Sequence, residues 1–242
     1  MEKKGKFNNC AVRYIVGILF ILCVALGCVL FGALDSESLK RVDMVCVGVE
    51  EPVQSARKTA GTGVVFSTGG DGAWIATAAH LLENMDEEDV VTLLADGVVV
   101  RCETWVVAED ADIAFLFIPK MDTAGKTRVV FEKARTDKAY YDTLAAGDPV
   151  AARGYCNGEF VEYQGKLATS WIYVEDFGQH MMLAECQVNH GMSGGGLYDD
   201  AGNLIGMICG GNDQGELAAV PWHVMEAWFE ELVQGLTFLK IW

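Results

Sequence analysis

The sequence predicts an all-β chain: a pair of β-barrels closed by one terminal helix, preceded by an N-terminal apolar segment. Three observations predict it. Short runs rich in Val, Ile, Leu and Phe recur from Val42 to Val220, broken by turns built on Gly and Asp. A single stretch near the end, Pro221 to Gln234, carries apolar residues at helical spacing instead. The chain beyond the apolar segment, roughly 200 residues, is long enough to bury a sizeable core as a double barrel.

The N-terminus reads as a membrane anchor. Residues 1–13 form a basic tail with Lys3, Lys4, Lys6 and Arg13, and Tyr14 to Leu34 contains no charged residue. At 1.5 Å per residue that run reaches about 31 Å, enough to span a bilayer. Basic residues before it and Asp35 and Glu37 after it place the N-terminus in the cytoplasm and the remainder outside the cell membrane, as a single-pass protein. A cleaved signal peptide is the rival reading, but the run is long for one and no A-x-A site closes it. Residues 35–41 are polar and form a short linker.

The formal net charge is −16. Up to Leu34 there is one acid, Glu2, against four bases, so the residues beyond carry 33 acids against 14 bases. Such a surface repels nucleic acid, and nucleic-acid binding is excluded as a function class. No zinc-type Cys/His spacing and no phosphate loop occur, so neither a metal nor a cofactor is expected.

The elements then follow in order. Val42 to Val49 is a strand. Glu50 to Ala60 is a polar loop, and Gly61 to Ser67 is the next strand, turning through Gly69 to Gly72 into Ala73 to Ala78. Val90 to Leu94, Val98 to Arg101, Thr104 to Ala108 and Asp112 to Ile118 complete a first barrel over about 42–118. Pro119 to Ala146 is charged and mixed, suiting a connection between barrels. The second barrel, about 147–220, takes Pro149 to Tyr155, Val161 to Trp171, Ile172 to Val174, Met181 to Val188, Gly196 to Tyr198, Leu204 to Ile208 and Glu216 to Val220. The closing helix begins at Pro221 and presents Val224, Met225, Trp228 and Leu232 on one face; the whole domain spans 42–236.

The chemistry-bearing stretch is Gly191-Met192-Ser193-Gly194-Gly195-Gly196. Glycines around one serine allow a backbone shape that side chains would obstruct, with the hydroxyl exposed as an acyl-transfer nucleophile requires. Upstream stand Thr77-Ala78-Ala79-His80 and Asp110-Ala111-Asp112-Ile113-Ala114. Together these motifs resemble the chymotrypsin-like (trypsin-fold) serine proteases, closest in style to the bacterial HtrA/Deg-type branch, over roughly Val42 to Gln234. The order His, Asp, Ser is that of this family.

The resemblance implies two six-stranded Greek-key barrels and a membrane-anchored serine endopeptidase for extracytoplasmic protein quality control or processing. Its substrate is a protein or peptide. Ser193 is the expected nucleophile, His80 the base, and Asp112 the group that orients His80, with Asp110 the competing acid. The N–H groups of Gly191 and Ser193 are the expected oxyanion hole. Gln187, six residues before the serine, falls at the base of the S1 pocket, with Val188 as an apolar wall. The strand containing Cys209, Gly210 and Gly211 resembles the one that pairs with substrate. No acid stands at Gln187, so a small or medium apolar P1 residue is expected. Gly196 replaces the family's usual proline, Met192 a small polar residue, and no PDZ-like extension is read. The alternative reading is a catalytically silent binding or sensor module on the same fold. Beyond the anchor lie Cys46, Cys102, Cys156, Cys186 and Cys209. They are expected to be mostly buried thiols, with a Cys186–Cys209 bridge the one pairing considered.

Overall fold

Strand pairing divides the structure, a computed structural model, into two β-sheet halves. It describes residues 40–51, 56–86, 88–102, 104–119, 129–212 and 214–234. The expected basic tail, the membrane span and all of the linker before Lys40 lie outside these residues. Among the described residues no helix is long and apolar enough to cross a membrane.

The first half contains β1 (Lys40–Val42), β2 (Met44–Glu51), β3 (Ala56–Thr68), β4 (Gly72–Thr77), β5 (Val90–Ala95), β6 (Val98–Cys102), β7 (Thr104–Val107) and β8 (Ala114–Pro119). Seven of them form one antiparallel sheet in the order β6-β5-β2-β3-β4-β8-β7. This corrects the expected six-stranded first barrel. β6 and β7 follow one another almost directly in sequence, yet among the described residues β6 pairs only with β5 and β7 only with β8. The sheet therefore curls without a ladder across the seam. β1 stands apart, pairing in parallel with β9 (Val129–Phe131) in the connection between halves. The same connection carries one helical turn, α1 (Lys138–Tyr141), capped by the Asp137 carboxylate, which accepts from the N–H groups of Ala139 and Tyr140.

The second half is the expected closed barrel, β10-β11-β12-β15-β14-β13. Its strands are β10 (Pro149–Cys156), β11 (Glu159–Val174), β12 (Gln179–Glu185), β13 (Gly196–Asp199), β14 (Leu204–Gly211) and β15 (Glu216–Pro221). The two strands expected at 161–174 are one, β11, bent by register shifts between Leu167 and Ile172. α2 (Trp222–Phe229) follows and widens into a π-type turn at Glu230–Gln234.

Alternation along the strands builds three cores from opposite faces of the same strands. Ala114, Leu116 and Ile118 of β8 join Val45, Val47, Ile75 and Leu93 inside the first sheet, while Phe115 faces the other way. Leu217 and Ala219 of β15 fill the second barrel with Met192, Leu197 and Ile208, while Ala218 and Val220 face out. The outward set meets between the halves: Phe66 and Phe115 from the first, Met181, Tyr198, Met207 and Cys209 from the second, with Trp222 and Met225 of α2. Phe229 of α2 packs on Phe66 and Phe115 at ring-centroid distances of 5.2 and 5.1 Å. Each such large side chain contributes about 1.5–3 kcal/mol when fully buried. This shared core fixes the two halves against each other, and the candidate site is assembled from both.

Candidate active site

β4 ends at Thr77, and the chain makes one tight helical turn at Ala79–Leu81. Ala79 and Leu81 are buried, which leaves His80 between them facing the cleft. β8 starts at Ala114 rather than at Asp112, so Asp112 sits in the turn before the strand. There it holds His80 at two points: the His80 backbone N–H donates to Oδ1 at 2.9 Å, and ring Nδ1 lies 2.9 Å from Oδ2. With the carboxylate ionised, Nδ1 carries the proton and Nε2 is free to accept one. The bond to Asp112 pushes the His80 pKa above its ordinary value against the effect of burial. Burial pushes the Asp112 carboxyl up, but its hydrogen bonds from His80 and from the Cys209 thiol outweigh this and hold it below its ordinary value. The competing acid, Asp110, is exposed and makes no hydrogen bond to His80.

Ser193 lies in the loop between β12 and β13. Asn189 to Met192 form a turn closed by the Met192 N–H on the Asn189 carbonyl at 3.0 Å. Gly191, its third residue, has φ +98°, while His190 keeps a negative φ. That combination is a type II turn, which a side chain at the third position would strain. Gly194 has φ +82°, and a Cβ there would collide with the Thr62 carbonyl and the Thr77 hydroxyl. The N–H groups of Met192, Gly194 and Gly195 all donate within the protein. Those of Gly191 and Ser193 have no acceptor among the described residues. Two donors of the serine loop are thus left open to a ligand.

The Ser193 hydroxyl rests on the Cys209 carbonyl at 3.4 Å, and among the described residues it makes no hydrogen bond to His80. Cys209 also sends its thiol toward Asp112, with Sγ 3.8 Å from the Asp112 carbonyl. One buried residue of β14 therefore touches Ser193 on one side and Asp112 on the other, bringing all three expected residues together.

A cavity of ≈570 Å³ opens at Ser193, lined by Val188, His190, Met192, Gly210 and Gly211 among others. Gln187, expected at the base of this pocket, is exposed and absent from the lining. Ala184 and Cys186 face the barrel core while Glu185 is exposed, and the same in–out order turns Gln187 outward. Val188 does face inward, and its methyl group packs so tightly on Gly211 that a Cβ at Gly211 would collide with it. A second cavity of ≈670 Å³ lies on the His80 side, between Glu83, Asp110, Asp112 and the β11–β12 tip at Asp176–Gly178. The considered Cys186–Cys209 bridge is absent: both are free thiols, and Cys186 Sγ donates to the Tyr163 carbonyl at 3.2 Å. Cys156 is a half-exposed thiol on the rim of the Ser193 cavity. Among the described residues no cluster fit for a metal ion occurs. Sequence reasoning missed Thr62, fully buried beneath the serine loop; its only signal was a polar residue between two glycines.

A family model described as a trypsin-like peptidase domain matches residues 61–207. The chain belongs to this family. The match takes in His80, Asp112 and the Gly191–Gly196 loop, and ends within β14 of the trypsin-like peptidase barrel. Serine endoprotease DegS of Salmonella typhimurium (strain 14028s / SGSC 2262) is 29% identical over 153 residues, which is 62% of this chain and 39% of the relative. The trypsin-like peptidase thus spans less than half of that relative's length. Family and relative together support serine endopeptidase as the enzyme class.

Proposed function

We propose that the chain is a membrane-anchored serine endopeptidase that cuts exported proteins or peptides through Ser193, His80 and Asp112, in extracytoplasmic quality control or processing. The observation that carries the reading is that, among the described residues, the N–H groups of Gly191 and Ser193 have no acceptor, in a protein whose His80 imidazole is already oriented by a carboxylate. On this reading, Ser193 turns from the Cys209 carbonyl to His80 when substrate binds; such bonds often tighten only with substrate present. Its oxygen attacks the scissile carbonyl as its proton passes to His80 Nε2. The oxyanion is held by the Gly191 and Ser193 N–H groups, each worth about 3–4 kcal/mol to the transition state. His80 then protonates the leaving amine, and water repeats the sequence on the acyl-enzyme. The contact of Val188 with Gly211 narrows the pocket and supports a small apolar P1 residue. The anchor rests on Tyr14 to Leu34, and the destination outside the cell membrane on the charges around it.

The test is labelling of the full-length protein with a fluorophosphonate probe beside Ser193→Ala. Labelling of the wild type alone is expected. A folded wild type that stays unlabelled refutes an activated serine and leaves the silent binding module. Removal of residues 1–34 is expected to move the chain from the membrane to the soluble fraction; retention on the membrane would refute the anchor.

A further inference from the structure

Thr62 lies at the start of the part of β3 that runs beneath the serine loop, and it is fully buried. Every polar atom it has is engaged. Its N–H donates to the Ser193 carbonyl at 2.8 Å, and its hydroxyl donates to the Gly191 carbonyl at 2.8 Å. The hydroxyl oxygen accepts from the Tyr155 N–H at 2.8 Å, and the Thr62 carbonyl accepts from the Thr77 hydroxyl at 2.6 Å. The two residues that Thr62 grips by their carbonyls are the two in this loop whose N–H groups have no acceptor among the described residues.

We propose that the Thr62 hydroxyl is a positioning group for the oxyanion site, fixing Gly191 against Ser193 so that their N–H groups converge on one point. The proposal rests on the reading of Ser193 as the nucleophile. The Met192 N–H closes the turn locally, but that bond does not tie the turn to anything beyond it. Asn189 at the head of the turn donates its Nδ2 to the Tyr163 hydroxyl at 2.7 Å, and the Gly194 N–H after Ser193 donates to the Ile208 carbonyl at 2.7 Å, but the carbonyls of Gly191 and Ser193 themselves are held by the two Thr62 grips. The Ser193 grip comes from a backbone N–H and any residue at position 62 other than proline would supply it. The Gly191 grip comes from the side chain, and only a hydroxyl of this reach supplies it while also accepting from Tyr155. A donor displaced from the developing oxyanion loses its value steeply, because the site works by being organised before the charge appears.

The test compares full-length wild type with Thr62→Val and Thr62→Ser on a peptide substrate, with rates counted per active site by fluorophosphonate titration. Valine keeps the shape and the backbone N–H but removes the hydroxyl; serine keeps the hydroxyl. For Thr62→Val, kcat is expected to fall about 10–100-fold, somewhat less than for complete loss of an oxyanion donor, with KM within about twofold. Thr62→Ser is expected to stay within about threefold of wild type on the same scale. A peptide boronate, which forms a tetrahedral adduct on the serine, should lose affinity in parallel with kcat, whereas a cleaved product peptide should not. A Thr62→Val enzyme with wild-type kcat per active site overturns the proposal. So does a Thr62→Ser enzyme as impaired as Thr62→Val, or equal weakening of boronate and product. Should Thr62→Val fail to fold, Thr62→Ala against Thr62→Ser applies the same criterion. Wild type that neither labels nor cleaves would refute the serine-peptidase reading itself; wild-type turnover with an unaffected Thr62→Val refutes only the role of Thr62.

Discussion

Replacing Asp112 by Asn tests the proposed chemistry most directly, because the two atoms that Asp112 offers His80 are distinguishable. Oδ1 accepts from the His80 backbone N–H, which can only donate. An asparagine must therefore present its carbonyl oxygen there and its NH2 group to ring Nδ1, where Oδ2 now lies. Nδ1 becomes the acceptor, the ring proton moves to Nε2, and the nitrogen facing Ser193 can no longer take a proton. Shape is preserved while the base is lost. The expected fall is about 10⁴-fold in kcat, or about 5.5 kcal/mol at 1.36 kcal/mol per tenfold. The pH profile carries a second signature. In wild type the acid limb of kcat/KM reports His80 and lies above 6.5, since the bond to Asp112 raises it; in Asp112→Asn the limb moves down. Stability shifts in a different window. His80, raised on folding, stabilises below its unfolded value of 6.5, an effect lost as pH rises through its folded value. Asp112, lowered, stabilises above its unfolded value of 3.8, an effect lost as pH falls through its folded value. The loss of Tm in Asp112→Asn should be largest between pH 3.8 and 6.5, on the acid side of optimal activity. Peptide hydrolysis and melting curves from pH 3 upward measure both. A variant with more than a tenth of wild-type kcat, or an unmoved acid limb, would refute the assignment of His80 as base and Asp112 as its partner.

Two further outcomes follow from the loop geometry. Gly194→Ala places a methyl group against the Thr62 carbonyl and the Thr77 hydroxyl at a left-handed backbone position; a loss of about 2–4 kcal/mol in urea unfolding is expected, and an unchanged midpoint would contradict it. Val188→Ala removes the methyl groups that close on Gly211. The preference for Ala over Leu at P1 should drop by about 10–100-fold in kcat/KM, and an unaltered ratio across a P1 peptide series would show that Val188 does not limit the pocket.

What the sequence made legible was local. His80 after an apolar strand, Asp112 before one and Ser193 among glycines each carried a short-range pattern, and the second barrel followed from its evenly spaced strands. What it hid depended on distance along the chain. The open seam of the first sheet lies between its edge strands β6 and β7, which are neighbours in sequence and do not pair among the described residues, and no run of residues announces it. Gln187 was expected inside because the resemblance counts six residues back from the serine, whereas here the in–out order that buries Ala184 and Cys186 turns Gln187 outward with Glu185. Cys186 and Cys209 looked capable of pairing until topology sent one thiol to Tyr163 and the other toward Asp112. Thr62 was invisible because its hydroxyl bonds reach 93 and 129 residues away.

The reactive groups are divided between the halves: His80 and Asp112 belong to the first sheet, Ser193 to the second barrel, and Thr62 crosses from one to the other. On the proposed mechanism, neither half alone holds both a nucleophile and its base. Hydrolytic power therefore arrives last, after Phe66, Phe115, Met207 and Trp222 have come together. A chain still folding, whose own loops are the nearest peptide bonds within reach, carries no blade with which to cut them.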